Sequence, residues 1–308
     1  MKLLPPVACL AAALLPFVGL WAQDVRTNIQ SGDLVFRADT REVVLHVTVV
    51  DRRDQLVTDL GQSNFRVSEN GQPVDIKFFR QEDVPVSIGI LVDNSGSMRD
   101  KRLRVNAAAL EFVKASNPED EMFIVNFNDE AYRDTDYTND TTRIQDALQR
   151  IDSRGGTALY DAVRASLDYL TEKAHNEKRV LLLISDGEDN ASKAQLEVLV
   201  RELQEADSSQ TQIYAIGLLT EEEKRSAKRA ERAIKYLTHA TGGPAYFPVT
   251  VDEVTSLMRK IAADIRNQYT IAYTPTTIAA GGFREIAIEL VGADKRNSVR
   301  HRPGYFSQ

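Results

Sequence analysis

Three oxygen-bearing side chains stand at alternate positions directly after a largely apolar run at residues 86–92. The run is typical of a strand buried on both faces of a parallel sheet, and it ends at Asp93, with Ser95 and Ser97 following. Open α/β sheets place their ligand sites in the loops at the carboxyl ends of such strands. A carboxylate and two hydroxyls are ligands that a hard divalent cation prefers. The spacing therefore predicts a metal site in this loop.

Two later segments supply further oxygen ligands. Thr157 follows the pair Gly155-Gly156 and begins a helix with apolar periodicity, and a second buried strand at 180–184 leads to Asp186. The combined set holds two carboxylates and three hydroxyls, without imidazole or thiolate, and consists of Asp93, Ser95, Ser97, Thr157 and Asp186. Because softer metals prefer nitrogen or sulfur, this set favours Mg2+, with Mn2+ or Ca2+ as substitutes.

Each of these motifs has an ordinary structural explanation when it is taken alone. Asp93 or Ser97 could cap the following helix, Thr157 is a plausible N-cap, and Asp186-Gly187 is a common turn dipeptide. Caps and turns do not explain why three such segments occur in one chain, with two of them at the ends of buried strands. The metal site accounts for all three together.

The elements that must position these side chains lie between residues 84 and 268. Strand-like and helix-like stretches alternate there, which predicts a doubly wound, mostly parallel sheet. The first helix is predicted at 104–114, and its inward stripe is predicted to be Leu103, Ala107, Leu110 and Val113.

The two flanks of this region show the period-two pattern of β-strands, over 34–83 and again over 269–306. Asn70-Gly71, between two such runs, predicts a two-residue hairpin turn. Each flank has only about three strands, which is marginal for a separate core. We expect the flanks to pack as one β-sandwich with the α/β domain inserted between them; tandem small domains are the alternative.

Residues 1–22 hold one positive charge followed by an almost wholly apolar run, which predicts a Sec-type signal peptide. An uncleaved anchor is the alternative, because the run is nearly long enough to span a bilayer. Cleavage predicts a secreted or periplasmic protein without stable membrane insertion. Cys9 is the only cysteine, so the mature chain would have no disulfide. A net charge of −7 and the lack of a basic stripe argue against nucleic acid as a partner.

The three segments together resemble the metal-ion-dependent adhesion site of the von Willebrand factor type A domain. The matching motifs are Asp-x-Ser-x-Ser at 93–97, Gly-Gly-Thr-Ala-Leu-Tyr-Asp at 155–161 and Ser-Asp-Gly at 185–187. The chain is also similar to secreted bacterial proteins, especially acidobacterial ones, that carry this domain between β-rich ends. The resemblance implies that Asp93, Ser95, Ser97 and Thr157 hold the ion directly or nearly so, and that Asp186 acts directly or through water.

The resemblance further implies metal-bridged protein recognition, in which an Asp or Glu carboxylate of a partner completes the coordination. Residues on the rim of the site would set specificity, and they are Asn94, Met98, Arg99, Asn128, Asp129, Glu130, Asp189 and Asn190. In some relatives the last helix, here 252–267, moves on ligation. That coupling is an analogy for this chain.

Two function classes follow. The first is a Mg2+-dependent adhesion or scaffold module without enzymatic activity. The second is a metal-dependent phosphatase or hydrolase on a similar sheet, favoured by an aspartate at a strand end beside the predicted Mg2+. Ser95 stands where a second carboxylate would act as acid–base, and the sequence has no Gly-x-Ser-x-Gly elbow or Gly-rich phosphate loop. The binding module is therefore preferred.

Overall fold

The computed structural model describes residues 42–150, 153–205, 210–219, 224–275 and 282–307. The predicted signal peptide at 1–22 and the start of the predicted N-terminal β segment at 34–41 lie outside these ranges. No helix in the described ranges is long and apolar enough to cross a bilayer.

A six-stranded sheet carries the segments of the predicted metal site. In spatial order its strands are β10 (Ala245–Tyr246), β9 (Thr211–Gly217), β8 (Lys178–Ser185), β5 (Val86–Asp93), β6 (Glu121–Phe127) and β7 (Ala131–Thr138). All neighbours pair in parallel except β6 and β7, which are antiparallel. The central strands β5 and β8 therefore end at the same edge of the sheet.

Helices cover both faces of this sheet. On one face lie α1 (Arg102–Ala115), α2 (Thr141–Leu148) and α6 (Val254–Arg266), and on the other lie α3 (Leu159–Lys173), α4 (Leu196–Gln204) and α5 (Lys224–Thr241). Alternate residues of β5 point to opposite faces of the sheet: Ile88 and Ile90 pack toward α1 and α6, while Leu91 packs toward α3. Apolar residues on both faces of these strands explain their continuous hydrophobic runs.

The predicted inward stripe of α1 is wrong in its first half, because Leu103 and Ala107 are exposed, whereas Leu110 and Val113 pack against the core. Leu103 is 75% exposed, whereas Val105 and Phe112 are buried. The cause is Arg102, which is fully buried and donates hydrogen bonds to the side-chain oxygens of three asparagines. A charged residue therefore occupies the inner face at the position where the hydrophobic pattern would start.

The flanks form two four-stranded sheets around a third core. One sheet has the order β13 (Ser298–Arg300), β1 (Val43–Val50), β11 (Tyr269–Tyr273) and β4 (Ile76–Gln81); the other has β14 (Gly304–Ser307), β12 (Gly282–Leu290), β2 (Phe65–Glu69) and β3 (Gln72–Val74). Every pairing in them is antiparallel. Their inner faces share a core that includes Leu45, Val67, Ile271 and Ile288. Each sheet combines strands from both flanks.

The predicted fold class is confirmed: a mostly parallel doubly wound sheet is accompanied by a sandwich-like part built from the two flanks. The predicted turn is present as well, because Glu69 pairs with Gln72 across Asn70 and Gly71, which have φ angles of 50° and 75°. The second arm of that hairpin is short, since the chain passes at Asp75 from β3 into β4 of the other sheet. The domain limits at 84 and 268 stay a prediction.

Candidate metal centre

Parallel pairing places the first and third segments of the predicted site side by side. Val92 of β5 is in register with Ile184 of β8, so the residues that follow them, Asp93 and Ser185, lie next to each other. The Ser185 hydroxyl donates a hydrogen bond of 2.6 Å to Asp93 Oδ2. Asp186 follows directly. Sheet register thus brings both carboxylates to one edge.

The loop after β5 continues this contact through hydroxyl groups. Asp93 Oδ1 accepts a hydrogen bond of 2.8 Å from the backbone N–H of Ser95. The hydroxyl oxygens of Ser95 and Ser97 lie 3.1 Å apart, and the Ser97 hydroxyl donates to Asp186 Oδ1 at 2.8 Å. These four predicted site residues therefore form one continuous cluster.

The Thr157 segment is held against the other two by backbone contacts. The Gly96 N–H donates to the Gly155 carbonyl at 3.3 Å, and the Asn190 N–H donates to the Thr157 carbonyl at 3.0 Å. A Cβ atom built on Gly187 would lie 3.5 Å from Thr157 Oγ1, so the hydroxyl faces the segment that carries Asp186. Gly155 has a φ of 72°, which favours glycine at this close approach. All five predicted residues thus belong to one loop cluster.

The hydrogen-bond donors to Asp93 are neutral, and the buried Arg102 guanidinium attracts its charge without forming an ion pair with it. Asp93 is fully buried, and burial raises its pKa to about 6; the neighbouring Asp186 charge raises it too, while hydrogen bonds from Ser185 and Ser95 act in the opposite direction. Among the residues that the structure describes, none forms an ion pair with Asp93 or a hydrogen bond with the Thr157 hydroxyl. A carboxylate in this setting is stabilised by a nearby cation.

The donor set fits a hard divalent cation. It offers two carboxylates and three hydroxyls, which match the oxygen preference of Mg2+. Within the described ranges no group of three or more His, Cys, Asp or Glu side chains is arranged to hold a metal. The fit therefore depends on the hydroxyl oxygens as much as on the carboxylates.

Lys101 is a charged neighbour of the cluster that sequence reasoning missed. Its ammonium Nζ lies 2.5 Å from Asp186 Oδ2 and 3.4 Å from the Leu218 carbonyl oxygen. The only sequence signal was a lysine shortly after the Asp-x-Ser-x-Ser motif, at the start of a helix, where a positive charge is unfavourable for the helix dipole.

The predicted rim residues divide into exposed and buried groups. Arg99, Asp129, Glu130 and Asn190 are exposed at this edge. Met98 is fully buried in the core beneath α1, so the prediction that it faces a partner is wrong. Its apolar side chain anchors the loop instead.

Several rim residues, buried or exposed, also hold the loops in place. Asn94 and Asn128 are buried as well. Asp129 accepts a hydrogen bond of 2.7 Å from the Gly156 N–H, and Asp189 accepts one of 2.9 Å from the Tyr160 N–H. These side chains tie the Thr157 segment to its neighbours.

A mostly parallel, doubly wound sheet with a polar site at the carboxyl ends of two adjacent strands defines the class of this protein as an open-sheet α/β protein. Residues 88–188 match the family model described as the von Willebrand factor type A domain, and the chain contains a domain of this family. No curated protein matches the chain significantly.

Solved structures that are similar to this chain include a von Willebrand factor type A protein from Catenulispora acidiphila, which is 11% identical, with 90% of this chain and 76% of that chain covered and a TM-score of 0.50. The vWF domain of the type V pili tip protein Mfa5 from Porphyromonas gingivalis is 13% identical, with coverage of 59% and 95% and a TM-score of 0.49. BatB from Bacteroides thetaiotaomicron is 17% identical, with coverage of 58% and 97% and a TM-score of 0.47. At 11% identity the likeness to the Catenulispora acidiphila protein concerns the fold alone.

Proposed function

We propose that this protein is an exported protein-binding module of the adhesion or scaffold type, and that its binding depends on Mg2+. The observation that carries the proposal is the meeting of two carboxylates and three hydroxyls at one edge of the sheet, where buried Asp93 has only neutral hydrogen-bond partners. The family match to a von Willebrand factor type A domain supports a protein-interaction role rather than an enzymatic one.

In this proposal the chain's own residues bind and orient the ion. Asp93, Ser95, Ser97 and Thr157 would hold it, and Asp186 would act directly or through water. When bound, Mg2+ supplies a hard Lewis-acid position that accepts a carboxylate oxygen. The partner is a protein that presents an Asp or Glu side chain, and Mn2+ or Ca2+ would substitute for Mg2+.

The exposed residues around the cluster would contact the rest of the partner. Arg99 and Glu130 project from loops on two different segments of the edge. Their opposite charges favour a partner surface with polar groups around the central carboxylate. Secretion or periplasmic localisation, as the segment 1–22 predicts, would expose this edge to proteins outside the cytoplasm.

Titration calorimetry with Mg2+ tests the metal part of the proposal. The wild-type protein should bind one ion, and Asp93→Asn, which keeps the size of the side chain but removes its charge, should lose measurable binding. Asp146→Asn is the matched control, because Asp146 is exposed on α2. Equal Mg2+ affinity in wild type and Asp93→Asn would reject the site.

The partner part is tested with immobilised peptide pairs that differ only in Asp or Glu against Asn or Gln. Capture should require both Mg2+ and the acidic member of a pair, and a chelator should abolish it. A phosphatase and esterase panel run with Mg2+ addresses the enzymatic alternative. Turnover that disappears in Asp93→Asn would overturn the binding-module proposal.

A further inference from the structure

Lys101 contributes a positive charge to the candidate metal centre from within the chain. Its side chain is 19% exposed and that of Asp186 is 1% exposed, so the contact of 2.5 Å between Nζ and Oδ2 is largely shielded from solvent. Shielded charges interact more strongly than exposed ones, because the surrounding dielectric is lower. The attraction between Lys101 and Asp186 is therefore stronger than that in an ordinary surface ion pair.

The two oxygens of Asp186 have different partners. Oδ1 accepts the hydrogen bond from Ser97, which belongs to the predicted ligand set, whereas Oδ2 accepts from Lys101. The ammonium thus binds the oxygen that faces away from Ser97. A divalent cation beside Ser97 would share the carboxylate with a fixed positive charge.

We propose that Lys101 is an internal counter-charge that weakens Mg2+ binding at this site, so that the ion is held reversibly rather than permanently. This inference rests on the proposed function. With Asp93 and Asp186 ionised, Lys101 makes the net charge that attracts the ion less negative by one unit. The ammonium would repel a dication held by the same carboxylate, and the low exposure of the pair would strengthen that repulsion.

A second positive charge lies near the cluster but does not alter this comparison. Arg102 is buried, and its guanidinium donates to the side-chain oxygens of Asn94, Asn106 and Asn126. It therefore stays in place when Lys101 is changed. Any difference between variants at position 101 then reports on Lys101 alone.

Calorimetric Mg2+ affinities of two variants test the inference. Lys101→Met keeps an apolar stem but removes the charge, and its Mg2+ Kd should fall on the order of tenfold. Lys101→Arg keeps the charge and should stay within about twofold of wild type. Lys114→Met, at an exposed lysine of the same helix, is the matched control and should match wild type. An unchanged or weaker affinity in Lys101→Met would overturn the inference.

A stability measurement supplies a readout that does not depend on calorimetry. In chelator, Lys101→Met should unfold at a lower temperature than wild type, because Asp186 loses its buried partner. Saturating Mg2+ should then raise the unfolding temperature of this variant more than that of wild type. An equal or smaller rise counts against competition. If neither protein responds to Mg2+, the proposed metal site fails as well; if both respond equally, only the role of Lys101 fails.

Discussion

A buried carboxylate has different partners in the sandwich and at the edge of the six-stranded sheet. In the sandwich, Glu69 forms an ion pair of 2.7 Å with Arg284 and accepts hydrogen bonds from the hydroxyls of Tyr273 and Tyr305 at 2.9 and 3.0 Å. At the sheet edge, Asp93 is just as buried, but its hydrogen bonds come from the Ser95 N–H and the Ser185 hydroxyl. Glu69 has a direct ion-pair partner, whereas Asp93 has neutral hydrogen-bond donors and only a longer-range attraction to the buried Arg102.

This difference separates a structural carboxylate from a candidate functional one. Burying a charge is costly unless it is paired, so a fully partnered carboxylate such as Glu69 is explained by the fold. Burial raises the pKa of Asp93, and the neighbouring carboxylate of Asp186 adds to this rise instead of opposing it. The arrangement is explained if the partner of Asp93 comes from outside the chain.

Removal of the sandwich partner should be the most damaging change. Arg284→Met leaves Glu69 buried with only the two tyrosine hydroxyls, and we expect it to lower the free energy of unfolding by about 3–5 kcal/mol. Urea unfolding followed by circular dichroism measures the difference. A loss of less than about 1 kcal/mol would mean that the pair does not hold the sandwich together.

Mg2+ should stabilise the protein through the sheet edge. At a free concentration of about 100 times the Kd, binding to the folded state adds about 2.7 kcal/mol to the free energy of unfolding. We expect this gain in wild type and in Asp146→Asn, and its loss in Asp93→Asn. Without Mg2+, Asp93→Asn should be at least as stable as wild type, since it removes a buried charge. The same Mg2+ gain in all three proteins would contradict the comparison.

The sandwich also keeps a buried histidine uncharged. Burial lowers the pKa of His46 to about 3, and the positive charges of Lys178, Arg80 and Arg302 contribute in the same direction. The folded state thus keeps His46 neutral, while the unfolded chain takes up a proton below pH 6.5. Stability present above that pH is lost as the pH falls, by about 2 kcal/mol at pH 5.

His46→Gln isolates this effect, because other groups with shifted pKa values are common to both proteins. Between pH 7.5 and pH 5, the variant should lose about 2 kcal/mol less unfolding free energy than wild type. His239→Gln, at an exposed histidine of α5, serves as control and should follow wild type. Parallel pH profiles for wild type and His46→Gln would show that His46 is not held neutral by the fold.

Sequence reasoning succeeded where one periodic pattern dictates both burial and position. The apolar runs of β5 and β8 require a central place in a parallel sheet, and their shared direction places Asp93 and Asp186 at one edge. The Asn70-Gly71 turn was predictable because only residues that tolerate positive φ fit it. Metal binding by the five residues remains a prediction.

Features that depend on contacts between residues far apart in the chain could not be predicted from such patterns. β7 was missed because its sequence is polar, with Arg133, Asp134 and Asp136 along an edge strand where no apolar alternation is needed. The inner face of the first turns of α1 was not predicted, because Arg102 is buried there by asparagines from other elements. Lys101 was overlooked since its partner Asp186 is 85 residues away in the chain.

The smallest effect comes from an ion pair on the same two strands as Glu69 and Arg284. Arg66 of β2 and Glu289 of β12 are direct cross-strand partners with their charged groups 3.7 Å apart, but their side chains are 62% and 72% exposed. Water already solvates both charges, so Arg66→Met should change the free energy of unfolding by about 0.5 kcal/mol or less. A double-mutant cycle with Glu289→Gln measures the coupling directly, and its value should fall further at high salt. A coupling as large as that between Glu69 and Arg284 would mean that strand pairing, rather than burial, decides how much a charge pair stabilises this protein. The contrast between Glu69 and Asp93, which depends on burial, would then lose its physical basis.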